Sequence, residues 1–199
     1  VIGVMSGTSV DGLDISFCRF IKNKKWKYEI LNSKTYHYCN FWKKTLINLH
    51  LENEKKIKDI DIEFAKHISD KINHFMQENK IKADVISSHG HTVFHDPSKK
   101  ITLQIGSGKV INELCRITTV NNFRKIDIDL GGQGAPLVPI GDQLLFQQYK
   151  YCLNIGGFAN LSVKANNSIK AFDICPANIA LNFYCRKLGK EFDLSLIHI

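Results

Sequence analysis

The sequence predicts an α/β fold of one to two domains, and three observations carry that expectation. A short apolar strand, a glycine loop and an alternating strand open the chain within residues 1–20, and a strand, glycine turn and strand recur within residues 151–164. Between them Ile60, Phe64, Ile68, Ile72 and Met76 recur every four residues, the stripe of a helix packed on a sheet. The 199 residues, 44% hydrophobic and 23% charged with 12 Phe, can bury a sizeable core, which excludes a disordered chain.

Residues 1–5 read as the first strand, and the loop Ser6-Gly7-Thr8-Ser9-Val10-Asp11-Gly12 follows at once. Residues 14–20 alternate at period two until the polar residues 22–27 break the pattern. A strand therefore leaves this glycine loop, where a Walker or Rossmann loop would open a helix. Residues 28–31 give the third strand of a meander, and residues 57–76 the amphipathic helix. Residues 84–88 form a short strand that runs into His89-Gly90-His91-Thr92-Val93-Phe94-His95. Residues 101–105 and 117–120 read as strands with a helix near 109–114 between them. Residues 121–141, rich in Gly and Pro, read as one long loop, and a loop of that length in a compact chain points to function. A helix near 142–148, a strand over 151–155, the turn at Gly156-Gly157, a strand over 161–164, a short strand carrying Asp173 and a helix over 179–188 complete the order.

Composition narrows the function classes. No apolar run approaches the roughly 20 residues of a membrane span, so no membrane partner is expected. The opening VIGVMSGTSVDG lacks a basic segment followed by an apolar one, which predicts a cytoplasmic protein. Six cysteines lie scattered without CxxC spacing, against both a zinc site and a disulfide framework, and read as reduced core or site-lining thiols. The net charge of +8 comes mostly from lysines in both halves of the chain, whereas nucleic-acid sites concentrate charge and favour arginine; no nucleic acid is expected.

Three segments carry chemistry. In the first loop Gly7 and Gly12 allow close backbone approach or positive φ, Thr8 and Ser9 offer hydroxyls, and Asp11 and Asp14 suit a cation that bridges phosphates; a plain hairpin turn is the alternative. Two such glycine hairpins could hold a polyphosphate from both sides through backbone N–H groups, which brings Gly156 and Gly157 into the set. In the histidine segment, His89 and His91 are two apart, and on a regular strand would share one face. Without an acidic or Cys partner at ligand spacing, a sugar-contacting or structural strand end is favoured over a metal site, and no metal ligands are assigned. Last, Asp173 stands at the end of an apolar strand before a Pro-containing turn, a common position for a general base; Asp173 or Asn178 could instead cap the helix that follows.

Taken together, MSGTSVDGLD (5–14), SHGHTVFH (88–95), TLQIG (102–106), NNFRKIDIDLGGQGAPLVP (121–139), NIGGFANLS (154–162) and FDICPAN (172–178) resemble the anhydro-N-acetylmuramic acid kinase family, six blocks in the family's order. The resemblance implies a two-domain actin-like (ribonuclease H-like) ATPase architecture with mixed sheets flanked by helices, the domains meeting at residues 148 and 149. It implies an enzyme that uses ATP and Mg²⁺ to open 1,6-anhydro-N-acetylmuramic acid with water and phosphorylate O6. Asp173 occupies the position of the family's catalytic carboxylate, and Gly7, Thr8, Ser9, Val10, Asp11, Gly12, Leu13 and Asp14 match its ATP loop. Arg124, Asp127 and the loop carrying Gly134, Ala135 and Pro136 resemble its sugar wall, with Arg124 a partner for the lactyl carboxylate. His89, His91, Thr92 and Asn178 join that wall. The partners so implied are the anhydro-sugar and ATP, with a homodimer admitted as an assembly.

Four positions depart from the family pattern: Asn122 and Asn182 stand for Asp, and Cys175 and Ala177 for Gly. Cys175 matters most, because a glycine beside the catalytic carboxylate could serve positive φ or close substrate approach. Family members are also much longer, so residues 149–199 are expected to be the opening of an incomplete second domain, and the final stretch from Asp193 matches no family block. A non-catalytic remnant that binds sugar or nucleotide is the competing expectation.

Overall fold

The computed structural model describes residues 1–165 and 168–190; the stretch from Asp193 lies outside the described residues. The chain divides into two compact units, the first ending at Ala135 and the second beginning at Pro136. This division falls ahead of the 148/149 boundary because the helix at Val138–Leu145 packs on the strands that follow it.

The first unit is a mixed sheet. Strands β1 (Ile2–Ser6), β2 (Gly12–Lys22) and β3 (Trp26–His37) form an antiparallel meander, and β1 also pairs in parallel with β4 (Val85–Asp96). The other edge of β4 changes partner along its length. Residues Val85–Ser87 pair in parallel with β6 (Thr118–Val120), and His91–Asp96 pair antiparallel with β5 (Ile101–Ile105). The histidine segment, expected at the end of a short strand over 84–88, is therefore the second half of one long strand. The meander is longer than alternation alone indicates, because β2 and β3 remain paired as far as Lys22 and Trp26.

Helix α1 (Asn40–Asn48) precedes α2 (Glu54–Asn79), whose Ile57, Ile60, Phe64, Ala65, Ile68, Ile72 and Phe75 are buried in one core with Ile2, Val4, Leu13, Ile15 and Ile86 of the sheet. The expected stripe is present, and the helix outruns it at both ends for local reasons. The Asn53 side chain accepts from the Lys56 N–H at 2.9 Å and starts it; Lys80, in the left-handed region, ends it by donating to the Met76 and Gln77 carbonyls. Helix α1 was not expected. It adds Trp42 and Leu46 to the core, with the Trp42 ring edge-on to Phe64 at 5.2 Å. Asp61 on α2 accepts from the Gly106 N–H at 2.6 Å and so ties α2 to the start of α3 (Gly108–Cys115).

The expected loop over 121–141 contains α4 (Phe123–Asp129) and the start of α5 (Val138–Leu145), so the helix expected near 142–148 begins and ends earlier in the chain. Helix α4 starts from Asn122 in the left-handed region, buries Ile128, and carries a Lys125–Asp129 ion pair one turn apart. Helix α5 has proline in its first turn, where a missing N–H costs nothing.

The second unit holds α5, an antiparallel sheet β7 (Tyr151–Ile155), β8 (Phe158–Ala165) and β9 (Ser168–Pro176), and α6 (Asn178–Lys187). Its apolar burial is slight. Tyr151, Leu153 and Ile155 are all more than half exposed, as are Phe172 and Ile174 on β9, while Ala159 is buried. A sheet that leaves such side chains uncovered is unfinished by the ordinary measure of a globular core.

The six cysteines are free thiols; Cys115 is buried, but Cys39 and Cys175 are exposed and so are not core residues. Among the described residues no helix is long and apolar enough to cross a membrane, and no group of three or more His, Cys, Asp or Glu could hold a metal ion.

Candidate active site

The first glycine loop joins β1 to β2, and its own polar groups shape it. The Val10 N–H donates to the Gly7 carbonyl at 3.2 Å, closing a turn that presents Thr8 and Ser9 to solvent. Asp11 Oδ1 accepts from Ser9 Oγ at 2.9 Å and from the Gly12 N–H at 3.0 Å, and Asp14 Oδ1 accepts from Thr35 Oγ1 at 2.6 Å. Of the two roles open to these glycines, close backbone approach or positive φ, neither adopts positive φ; that conformation falls on Val10, with φ 54° and its side chain buried. A β-branched residue there is strained and persists only where its surroundings enforce it. Gly12 is needed for strand packing, since a Cβ would lie 2.9 Å from the Tyr36 carbonyl oxygen; Gly7 faces no backbone that closely and is the position open to a ligand. Leu13, buried on β2, anchors the exit of the loop.

A buried polar chain supports the loop. Tyr38 donates to Ser6 Oγ at 2.8 Å, Ser6 Oγ and His91 Nδ1 share a hydrogen bond of 3.1 Å, and the His91 ring also bonds to the Leu46 backbone. Burial pushes the His91 pKa down to about 4, with the Leu46 bond acting against it, so the ring is neutral. The unfolded chain takes up this proton near 6.5 while the folded chain resists until about 4, so the contribution is complete above 6.5 and is lost as pH falls through that window. The expected loss is about 3 kcal/mol. Urea unfolding at pH 7.5 and 4.5 measures it, and His91→Asn, which cannot titrate, is expected to remove that share of the pH dependence.

The two histidines expected on one face take different partners. Gly90, with φ +71°, breaks the alternation: Val4 pairs with Ser88, but Ser6 pairs with His91. His91 enters the chain under the loop, while His89 accepts from Arg124 Nε at 3.1 Å. Arg124 also donates through Nη1 to the Gly134 carbonyl at 2.7 Å, and the Gly134 N–H donates to Asp127 Oδ2 at 2.6 Å. Arg124, Asp127, Gly134 and His89 thus form one cluster, in which Asp127 shapes the loop that ends with Ala135. Gly134 has φ +63°, and a Cβ there would lie 2.8 Å from the Ile128 side chain. Burial lowers the Arg124 pKa, the mark of a cation partly stripped of water. Thr92 pairs with Gln104 across β4 and β5 and accepts from its Nε2 at 3.4 Å. Thr8, Val10, His50, His91, Thr92 and Val93 border an open cleft of about 180 Å³ beside the loop.

In the second unit Asp173 is exposed on β9, an edge strand, opposite Asn160 and beside a register shift. The second glycine turn serves the helix that follows: the Asn178 N–H donates to the Gly156 carbonyl, and the Ala177 and Ile179 N–H groups donate to that of Gly157. Neither Asp173 nor the Asn178 side chain caps α6; Ala177 is its N-cap and Asn178 its first residue. Cys175 and Ala177 lack the positive φ for which a glycine would be required, so these departures impose no strain of that kind. Asn122, by contrast, has φ 62°, a conformation that Asn and Asp both tolerate. Pro136 opens this unit.

A mixed sheet opened by a strand–glycine loop–strand hairpin, with a second hairpin unit after it, agrees with the actin-like (ribonuclease H-like) ATPase and sugar-kinase class to which the matched family belongs. The chain belongs to the anhydro-N-acetylmuramic acid kinase family, whose profile matches residues 1–195. It is 34% identical over 203 residues to the anhydro-N-acetylmuramic acid kinase of Pelagibacter ubique and 37% identical over 205 residues to that of Acinetobacter baylyi. These alignments cover 94% and 96% of the chain but 54% and 53% of the relatives, so the chain spans about half the length of the curated relatives it matches.

Proposed function

We propose that the complete protein is an ATP-dependent kinase that opens the 1,6-anhydro ring of 1,6-anhydro-N-acetylmuramic acid and phosphorylates O6, giving N-acetylmuramic acid 6-phosphate in peptidoglycan recycling and amino-sugar catabolism. The family match over residues 1–195 carries this reading. Asp173 takes a proton from the water that attacks C1, the C1–O6 bond breaks, and O6 attacks the γ-phosphorus as ADP leaves. Residues Gly7 to Asp14 of the first unit hold the phosphates. Mg²⁺ suits the oxygen donors Asp11 and Asp14 and supplies charge neutralisation at the phosphates. On the sugar side Arg124 pairs with the lactyl carboxylate. Thr92, Asp127, Gly134 and Ala135 line the same side in the first unit, where His91 supports the loop. The reading places the protein in the cytoplasm with ATP and the anhydro-sugar as its small-molecule partners.

The test is a product assay. Incubation with Mg-ATP and the anhydro-sugar is expected to yield the sugar 6-phosphate and ADP in equal amounts by mass spectrometry; ADP formation without the phosphosugar overturns the proposal. Sedimentation of the same preparation reads whether the active species is a monomer or a homodimer.

A further inference from the structure

We infer that His89 is a positioning residue: it holds the Arg124 guanidinium in the orientation that binds an anion, and it acts through that contact instead of touching the sugar. The identity of the anion, a sugar-borne carboxylate, rests on the function proposed above.

The geometry assigns each nitrogen of the ring. Nδ1 donates to the Gly90 carbonyl at 3.0 Å, which leaves Nε2 as an acceptor, and Arg124 Nε donates to it at 3.1 Å. A second anchor, Nη1 to the Gly134 carbonyl at 2.7 Å, fixes the plane of the guanidinium. Both anchors are neutral acceptors, so they orient the cation without cancelling its charge. Nε and one Nη1 proton are engaged, and the bidentate face left to a carboxylate is the Nη1/Nη2 end of the fork. Burial, the largest effect, and the Arg124 charge push the His89 pKa below its usual value, against the opposing bond to Gly90, which keeps Nε2 an acceptor. A ring that spends both nitrogens on this arrangement has no donor left for a sugar hydroxyl.

Two measurements separate this inference from the functional proposal. The first needs no sugar: ¹⁵N NMR of the 199-residue chain is expected to show a slowly exchanging Arg124 Nε–H, identified by its loss in Arg124→Lys. That signal is expected to be lost in His89→Leu and retained in His89→Gln, whose Oε1 accepts in place of Nε2. A signal unchanged in His89→Leu overturns the inference even if the protein is a kinase. The second is binding by the complete protein: His89→Leu is expected to weaken 1,6-anhydro-N-acetylmuramic acid about tenfold or more, leaving 1,6-anhydro-N-acetylglucosamine, which lacks the lactyl carboxylate, unchanged, with affinity restored in His89→Gln. Equal weakening of both sugars overturns positioning in favour of direct contact. If wild type binds neither sugar, the proposed function fails, and the NMR result still decides the role of His89.

Discussion

Asp173→Asn in the complete protein is expected to lower turnover by about 10²–10⁴-fold, the range for loss of a general base, while leaving the folding of the second unit unchanged. The two halves of this expectation have separate physical grounds. The amide is isosteric with the carboxylate but cannot take a proton from water, so the attack on C1 loses its base and the O6 nucleophile is not released. Asp173 is exposed on edge strand β9, where an exposed Asp-to-Asn change costs little stability. An unaltered urea midpoint together with collapsed turnover therefore identifies a chemical role, and near-normal turnover would remove Asp173 from the mechanism. Asp127→Asn is the informative contrast. Its carboxylate holds the Gly134 N–H and with it the loop that orients Arg124, so its loss is expected to raise KM for the anhydro-sugar more than it lowers kcat.

What could be read from the sequence was local, and what could not was register and reach. The α2 stripe was legible because Ile60, Phe64, Ile68 and Ile72 share one period, and β5 and β7 because their apolar runs end at turn signals. Helix α4 and the first residues of α5 were hidden within 121–141 because glycines and prolines surround them and α4 has only seven residues over which a period could show, whereas the rest of α5 falls in the helix expected near 142–148. In α1 the signal was present but thin: Trp42, Leu46 and Leu49 share a face beside the exposed Phe41 and Ile47. The site divided in the same way. The loop at Gly7–Asp14, the arginine at 124 and the carboxylate at 173 were named from residue type and motif. Tyr38, Ser6 and Asp61 were not, because each acts through a partner 32 to 85 positions away, a distance no local pattern encodes. The positive φ of Val10 gave no signal, since valine is the residue least expected there.

The same limit explains the histidines, and Gly90→Ala tests it directly. Gly90 sits where β4 stops pairing with β6 and begins to pair with β5, and where the register against β1 shifts between Val4 and Ser6. A methyl group there meets two penalties at once. The φ of +71° disfavours any L side chain by about 1–2 kcal/mol, and the Cβ would press into the Ile105 carbonyl, lying 3.2 Å from its carbon and closer still to its oxygen. Backbone cannot move aside as a side-chain tip can, so relief requires β4 and β5 to part or Gly90 to flatten. Flattening restores strict alternation and turns His89 and His91 toward the same face. That breaks the Ser6–His91 bond or the Arg124–His89 bond, since the two lie on opposite sides of the bulge. The expected cost is about 3–5 kcal/mol, a large fraction of the stability of a domain of this size, and the readout is urea unfolding with the Arg124 Nε–H signal recorded on the same sample. A stable Gly90→Ala protein that keeps both histidine contacts would show that the bulge is set by the flanking strands and not by the glycine.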